Sequence, residues 1–125
     1  MNGYIAERMF GRKIKNFSPE ENGDCIVFEF YDGKPLTLVA VGDCCSHTWI
    51  ESMDNPECLV GGVVNSVENI DMPNLGDVPG KRIKEQFVES VEYYGLRITT
   101  DKGICVLDYR NDSNGYYGGS LEVSE

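Results

Sequence analysis

Basic residues are scarce in this chain of 125 residues: eleven lysines and arginines stand against 21 aspartates and glutamates, which gives a formal net charge of −10. That charge repels the phosphate backbone of nucleic acids and the anionic surface of membranes. We therefore expect neither nucleic-acid polymers nor membranes as partners. Small anions stay within the range of expected ligands, because a local group of basic side chains can hold one.

Long apolar runs are missing as well. No stretch of about 18 apolar residues occurs, so no segment is expected to span a membrane. The segment from Met1 to Phe17 has no continuous apolar stretch and no small-residue cleavage site, so it does not predict a secretory signal. We expect a cytoplasmic protein whose five cysteines are reduced thiols, most of them buried.

The composition fits one folded domain over residues 1–125. The mass of 14.0 kDa is close to the commonest domain size, and seven Tyr, five Phe and one Trp are too many for a disordered chain. Apolar residues alternate from Ile26 to Phe30 and again from Leu36 to Ala40, and Asp32-Gly33 between these runs predicts a β-hairpin turn.

A second hairpin is predicted around Asp101-Lys102-Gly103. A two-residue loop would set Leu96 opposite Leu107 and Ile98 opposite Cys105, whereas a three-residue loop would set Leu96 opposite Asp108. We prefer the first register because it keeps one face of the hairpin apolar.

The remaining pattern predicts one short helix and further strands. Thr48 with Glu51 fits the spacing of a helix capping box, either Ser46 or Thr48 can cap the helix, and Pro56 follows its expected end. The valine-rich run from Leu59 to Ile70 predicts a long strand with a bend, and Ser120–Ser124 predicts a short edge strand. The expected fold is therefore α+β and mostly antiparallel β: a small curled sheet, barrel or sandwich, of about six or seven strands whose short helix covers one opening.

Catalytic and metal-binding signatures are absent. Cys44, Cys45, His47 and Cys58 lie close in sequence but lack the paired spacing of a structural zinc site, and a Cys–His nucleophile separated by two or three residues rarely aligns. No G-x-S-x-G, H-E-x-x-H, Walker or G-x-G-x-x-G pattern occurs. We therefore expect a chain that is not an enzyme and uses neither metal nor cofactor.

What remains is a possible binding site for a nucleotide-like small molecule. Backbone N–H groups of the G-D-C-C-S segment could hold an anion, Trp49 and a tyrosine could stack a base, and Arg97 or Arg110 could neutralise a phosphate. The expected ligand-binding residues are Asp43, Cys45, Ser46, Trp49, Tyr94, Arg97, Asp108, Arg110, Asn111 and Tyr116. In the alternative interpretation Trp49, Tyr94 and Tyr109 are core aromatics and the two arginines are charges on the outer face.

Three segments of the sequence resemble those of a family of proteins. V-G-D-C-C-S-H-T-W-I-E, E-Y-Y-G-L-R-I-T-T-D-K-G and C-V-L-D-Y-R-N-D-S-N-G-Y-Y-G-G-S-L resemble an uncharacterised family of small proteins encoded by tailed phages and bacteria, over roughly Phe28 to Val123. The resemblance transfers no functional residue, but it suggests a phage anti-defence protein in the host cytoplasm, a homo-oligomer that sequesters a nucleotide-derived immune signal. A protein-interaction inhibitor with an acidic surface is the alternative, and a nucleotide hydrolase is the third hypothesis.

Overall fold

The fold is given by a computed structural model that describes residues 2–42, 46–72, 90–113 and 118–124. The described residues form helix α1 (Asn2–Met9), a 3₁₀ turn (Pro56–Cys58) and eight strands: β1 (Ile14–Pro19), β2 (Cys25–Phe30), β3 (Leu36–Gly42), β4 (Ser46–Asp54), β5 (Val64–Asp71), β6 (Ser90–Thr100), β7 (Gly103–Ser113) and β8 (Gly119–Ser124). All the strand pairs are antiparallel. The prediction of a mostly antiparallel β fold is confirmed, with eight strands where about six or seven were expected.

The strands form two four-stranded sheets, with the orders β1-β2-β3-β8 and β4-β7-β6-β5. Apolar side chains from both sheets and from α1 share one buried cluster, in which Phe28, Leu38, Leu96, Leu107 and Leu121 are all at most 1% exposed. Neither sheet closes on itself. Of the two architectures left open by the sequence, the chain has the sandwich.

Both predicted hairpins are present, and the second has the register that we preferred. Strands β2 and β3 pair with Phe28 opposite Leu36. Strands β6 and β7 pair with Leu96 opposite Leu107 and Thr100 opposite Gly103, so the loop has two residues. Gly103 has φ +148°, a backbone conformation that suits glycine better than other residues. The predicted strand at Ser120–Ser124 is also confirmed, as edge strand β8 paired with β3.

The helix predicted from the Thr48–Glu51 spacing is wrong, because this segment is strand β4. Thr48, Trp49 and Ile50 are all buried, and they pair with β7 from Asn111 to Tyr109. A strand covered on both faces satisfies its backbone through the ladder and buries its β-branched and aromatic residues. Local capping signals predict a helix only weakly, and pairing with a distant strand outweighs them.

The helix lies instead at the N-terminus. Ile5 and Met9, spaced four residues apart, are both buried, and the chain leaves the helix at Gly11 with φ +78°, as helices that end in a left-handed residue do. Helix α1 packs against β5 and β8, each of which is an edge strand of its own sheet. The spacing of Ile5, Met9 and Gly11 was the signal that sequence reasoning missed.

Other parts of the chain partly match the expectations. The strand expected from Leu59 starts at Val64, because Leu59 continues the 3₁₀ turn and Gly61 has φ +79°. Cys25, Cys58 and Cys105 are free thiols, and the last two are buried. No helix within the described residues is long and apolar enough to cross a membrane.

Candidate functional site

One end of the sandwich holds Ser46, Tyr94 and Asn111, three of the residues that the sequence singled out. Ser46 at the start of β4 and Ser90 at the start of β6 both lie opposite Ser113 at the end of β7. In the other sheet, Gly42 at the end of β3 pairs with Gly119 at the start of β8. We call this end, where β4, β6 and β8 begin and β3 and β7 end, the site end.

Seven of the ten expected ligand-binding residues are described, and they lie on both faces of one sheet. Asp43, Cys45 and Tyr116 lie outside the described residues. The other seven divide between the two faces of the β4-β7-β6-β5 sheet, because successive side chains of a strand point to opposite faces. Ser46, Tyr94 and Asn111 share the inner face with Leu107, towards the other sheet, and the outer face carries Trp49, Arg97, Asp108 and Arg110.

On the outer face Trp49 is a packed structural residue. Its side chain is 0% exposed, its indole N–H donates a hydrogen bond of 2.7 Å to Glu51, and the His47 ring stacks on it with centroids 5.6 Å apart. An indole without exposed surface cannot stack a ligand base, so the expected role of Trp49 has no support in this geometry.

The guanidinium groups of the outer face are occupied by neighbouring side chains. Arg110 lies 4.8 Å from the centroid of the Tyr93 ring and pairs with Asp108 at 3.1 Å. Burial alone would lower the pKa of Arg110, but the hydrogen bonds and charge of Asp108 raise it overall. Arg97 pairs with Glu68 at 2.6 Å. Both arginines therefore have carboxylate partners within the chain, as in the alternative interpretation.

The inner face carries a chain of hydrogen bonds that sequence reasoning missed. The Thr48 hydroxyl donates to Asn111 Oδ1 at 2.8 Å, and Asn111 Nδ2 donates to Glu92 Oε1 at 3.1 Å. The Tyr94 hydroxyl donates to the same Glu92 oxygen at 3.1 Å, and the backbone N–H of Gly119 donates to the Tyr94 oxygen. These residues come from four strands, so only the strand register could have revealed the chain.

Tyr94 also borders a hollow of about 480 Å³ at the site end. The lining residues are Asn69, Ile70, Asp71, Tyr93, Tyr94, Tyr109, Gly119 and Ser120; we call this space the tyrosine hollow. The rings of Tyr94 and Tyr109 stack with their centroids 5.1 Å apart at an angle of 22°, and the Tyr109 hydroxyl lies 3.5 Å from Asn69 Oδ1. No described lining residue is basic, and Asp71 is acidic.

Burial raises the pKa values of two tyrosines and two cysteines, whose ordinary values already lie above neutral pH. It raises the pKa of Tyr94 to about 12 and also raises the pKa of Tyr109. Burial likewise raises the pKa of Cys105 to about 12, and burial together with Glu20 and Asp24 raises that of Cys25. At neutral pH these groups are phenols and thiols, so they can donate hydrogen bonds but are neither bases nor nucleophiles.

Candidate zinc ligands are far apart where the structure describes them. His47 lies opposite Asp112 at the site end, whereas Cys58 lies beside Gly103 at the start of β7. Nine residues of extended strand, about 30 Å, separate these positions. Within the described residues no three His, Cys, Asp or Glu side chains are grouped so that they could hold a metal ion.

Comparison with known proteins identifies the family of this chain. Residues 7–123 match the model of a domain of unknown function, DUF7448. An uncharacterized protein of Acanthamoeba polyphaga mimivirus is 34% identical over 112 residues, which cover 89% of this chain and 86% of that protein. No solved structure matches. The chain belongs to the DUF7448 family, and it has a relative in a virus.

Proposed function

We propose that this member of the DUF7448 family is a non-catalytic binding protein that holds a small ring-bearing molecule in the tyrosine hollow. The observation that carries the proposal is the half-buried ring of Tyr94, which stacks on the buried Tyr109 and borders a hollow of about 480 Å³. Ligand pockets are typically about 300–1,000 Å³ and combine aromatic surface with a few polar groups. The tyrosine hollow has both.

The lining favours a nucleoside-like ligand part. Aromatic surface suits a flat base, and Asn69, Asp71 and Ser120 offer hydrogen-bond partners for sugar hydroxyls. The hollow is poorly suited to bind a phosphate group, because its described lining has no cation and both expected arginines are paired with carboxylates. The base and ribose of the ligand would therefore enter the hollow, with any phosphate facing away from Asp71.

The finer proposal is that the ligand is a nucleotide-derived immune signal of a host, sequestered by a virus-encoded protein. A viral relative supports that setting. We favour sequestration over turnover because the described lining of the hollow contains no histidine, cysteine, lysine or arginine side chain. The protein-interaction inhibitor and the nucleotide hydrolase remain alternative predictions.

Thermal melting with a ligand panel tests the proposal. The panel contains adenosine, guanosine, cyclic dinucleotides and cyclic ADP-ribose isomers, and a ligand that binds only the folded state raises the melting temperature with its concentration. Asn69→Trp should fill the hollow and abolish the shift. Asn65→Trp, the matched control on the same strand, does not touch the hollow and should keep it.

A second measurement separates binding from turnover. Bound ligand is released by heat denaturation and identified by chromatography and mass spectrometry. Recovery of the unchanged ligand supports sequestration, whereas recovery of a product supports the hydrolase. The absence of a shift across the whole panel would contradict the proposed class of ligand.

A further inference from the structure

A row of three side chains crosses the inner face of the β4-β7-β6-β5 sheet at the tyrosine hollow. Asp71 at the end of β5 lies opposite Tyr94 on β6, and Tyr94 lies opposite Tyr109 on β7. Directly opposite residues of antiparallel strands have their side chains on the same face, with Cβ atoms about 4.5–5.5 Å apart. The register therefore places the Asp71 side chain beside the half-buried Tyr94, at the hollow that both residues line.

The carboxylate of Asp71 is available to a ligand. Asp71 is exposed, and none of the ion pairs among the described residues includes it. Arg97 and Arg110 lie on the outer face of the sheet and pair with other carboxylates. In the described part of the chain, the hollow therefore has a negative charge on its lining and no cation to balance it.

A second carboxylate lies at the hydroxyl end of the Tyr94 ring. The Tyr94 hydroxyl donates a hydrogen bond of 3.1 Å to Glu92 Oε1 and accepts one from the backbone N–H of Gly119. These two hydrogen bonds hold the ring in place at the hollow. The faces of an aromatic ring carry negative partial charge, and the charge of Glu92 makes the electrostatic potential around this ring more negative.

An aromatic ring beside a carboxylate is a good environment for a cation. The negative face of the ring attracts positive charge, and this cation–π attraction is stronger where water is partly excluded. A carboxylate adds an ion pair to the same ligand. A neutral base, by contrast, gains only the stacking contact with the ring. The lining of the tyrosine hollow therefore favours a ligand ring that carries positive charge.

We propose that the tyrosine hollow binds a nucleoside whose base is positively charged, in preference to the same nucleoside with a neutral base. The charged base lies against the ring of Tyr94, and Asp71 balances its charge. Methylation of a ring nitrogen is a modification that gives a purine base this charge. The inference rests on the proposed function, because it names the kind of nucleoside that the hollow takes.

Three ligands that share one sugar and one ring system test the preference: adenosine, N6-methyladenosine and 1-methyladenosine. The two methylated nucleosides are isomers, but only 1-methyladenosine is a cation at neutral pH. Isothermal titration calorimetry of the wild type should give a dissociation constant about tenfold lower for the cation than for its neutral isomer, because the cation–π contact and the exposed ion pair are each weak. Added salt should reduce this ratio.

Two matched amide variants distinguish the hollow from the general attraction of an acidic chain for cations. Asp71→Asn removes the carboxylate at the hollow, and Glu29→Gln removes an exposed one on β2, in the other sheet. Each variant changes the net charge of −10 by one unit, and both positions are exposed, so the fold should survive. Asp71→Asn should lower the ratio of the two dissociation constants by about threefold, whereas Glu29→Gln should leave the ratio unchanged.

The outcomes separate this inference from the proposed function. If the neutral isomer binds as tightly as the cation, the inference is overturned and the proposed function stands. Equal effects of Asp71→Asn and Glu29→Gln would also overturn it, because the preference would then come from the charge of the whole chain. If no nucleoside or nucleotide binds, the inference and the proposed function are both overturned. The comparison of the two isomers uses the wild type, so it does not depend on the folding of either variant.

Discussion

The two faces of the β4-β7-β6-β5 sheet use similar side chains in different ways. On the outer face, Trp49 is fully buried and Arg110 is paired with Asp108. On the inner face, the hydrogen-bond chain through Asn111 ends at Tyr94, which borders an open hollow. Both faces contain aromatic and polar groups within a few residues of the same strand ends.

The comparison teaches that residue type does not distinguish a binding site from a packed layer. An arginine or a tryptophan can bind a ligand only if its donors or its ring surface are still accessible. The outer-face groups are occupied by one another, whereas the half-buried Tyr94, which stacks on the buried Tyr109, borders unfilled space. The predictions that follow test whether the outer face is a packed structural layer. They also test whether side chains of the inner face affect one another's contribution to stability.

The largest effect is expected for Trp49→Ala. Removing a fully buried indole should lower the free energy of unfolding by about 3–5 kcal/mol, since the transfer energy is lost and a cavity is left. Urea denaturation followed by circular dichroism measures it. Tyr31→Ala, an exposed aromatic, is the control and should stay within about 0.5 kcal/mol. An equally small loss for Trp49→Ala would show that the outer face is not a packed layer.

A smaller effect is expected for Gly119→Ala on the inner face. The added Cβ would lie 2.0 Å from Thr48 Oγ1 and 3.0 Å from Asn111 Oδ1, and overpacking of this kind costs about 1–3 kcal/mol. Thr48→Ala removes the nearest atom, so the double variant should be more stable than the sum of the two single losses predicts. Strict additivity in this double-mutant cycle would argue against the close contact.

The third prediction concerns pH. Burial raises the pKa of Tyr94 from 10.0 to about 12 in the folded chain. Below pH 10 the phenol is neutral in both states; between about pH 10 and 12 the unfolded chain releases this proton and the folded chain does not, so stability falls as pH rises. The free energy of unfolding, measured by denaturation at several pH values in this range, should fall more steeply with pH for the wild type than for Tyr94→Phe. Tyr31→Phe should follow the wild type, and parallel curves for all three would refute the shift.

The smallest effect is expected for Arg97→Ala. Its ion pair with Glu68 is short at 2.6 Å, but the two side chains are 39% and 50% exposed. Solvent screening limits such pairs to about 0–1 kcal/mol, and added salt should reduce the difference further. Glu68→Gln should give a similar loss. A loss well above that range would mean that Arg97 supports the sheet in another way.

The hairpins could be predicted because their signals are local. Alternation from Ile26 to Phe30 places one set of side chains in the core, and a loop at Asp101-Lys102 keeps Leu96 opposite Leu107, so no distant part of the chain is needed to choose the register. The segment from Ser46 to Asp54 has no such local answer. Its cap-like spacing predicts a helix, whereas its β-branched and aromatic residues predict a strand. Pairing with β7, more than fifty residues away, makes it a strand.

The candidate site was predicted only in part. Tyr94, Asn111 and Ser46 do lie on the inner face at the site end, but Trp49 and Arg110 lie on the other face. Ser46 and Trp49 lie three positions apart on β4, and Arg110 and Asn111 are adjacent on β7, so the alternation of side chains along a strand puts the two members of each pair on opposite faces. Asn69 and Asp71 reach the hollow from β5, a neighbour that no spacing in the sequence identifies.

By itself, the sequence determined the acidic charge, the antiparallel β class, the two hairpins and the preferred register of the β6–β7 hairpin, because each depends on composition or on residues that are near neighbours along the chain. Only the tertiary structure decided that Trp49 is buried, that Arg110 is paired and that Tyr94 borders a hollow. Accessibility depends on which distant strands cover a side chain, and that follows from the long-range pairing of β4 with β7 and of β5 with β6.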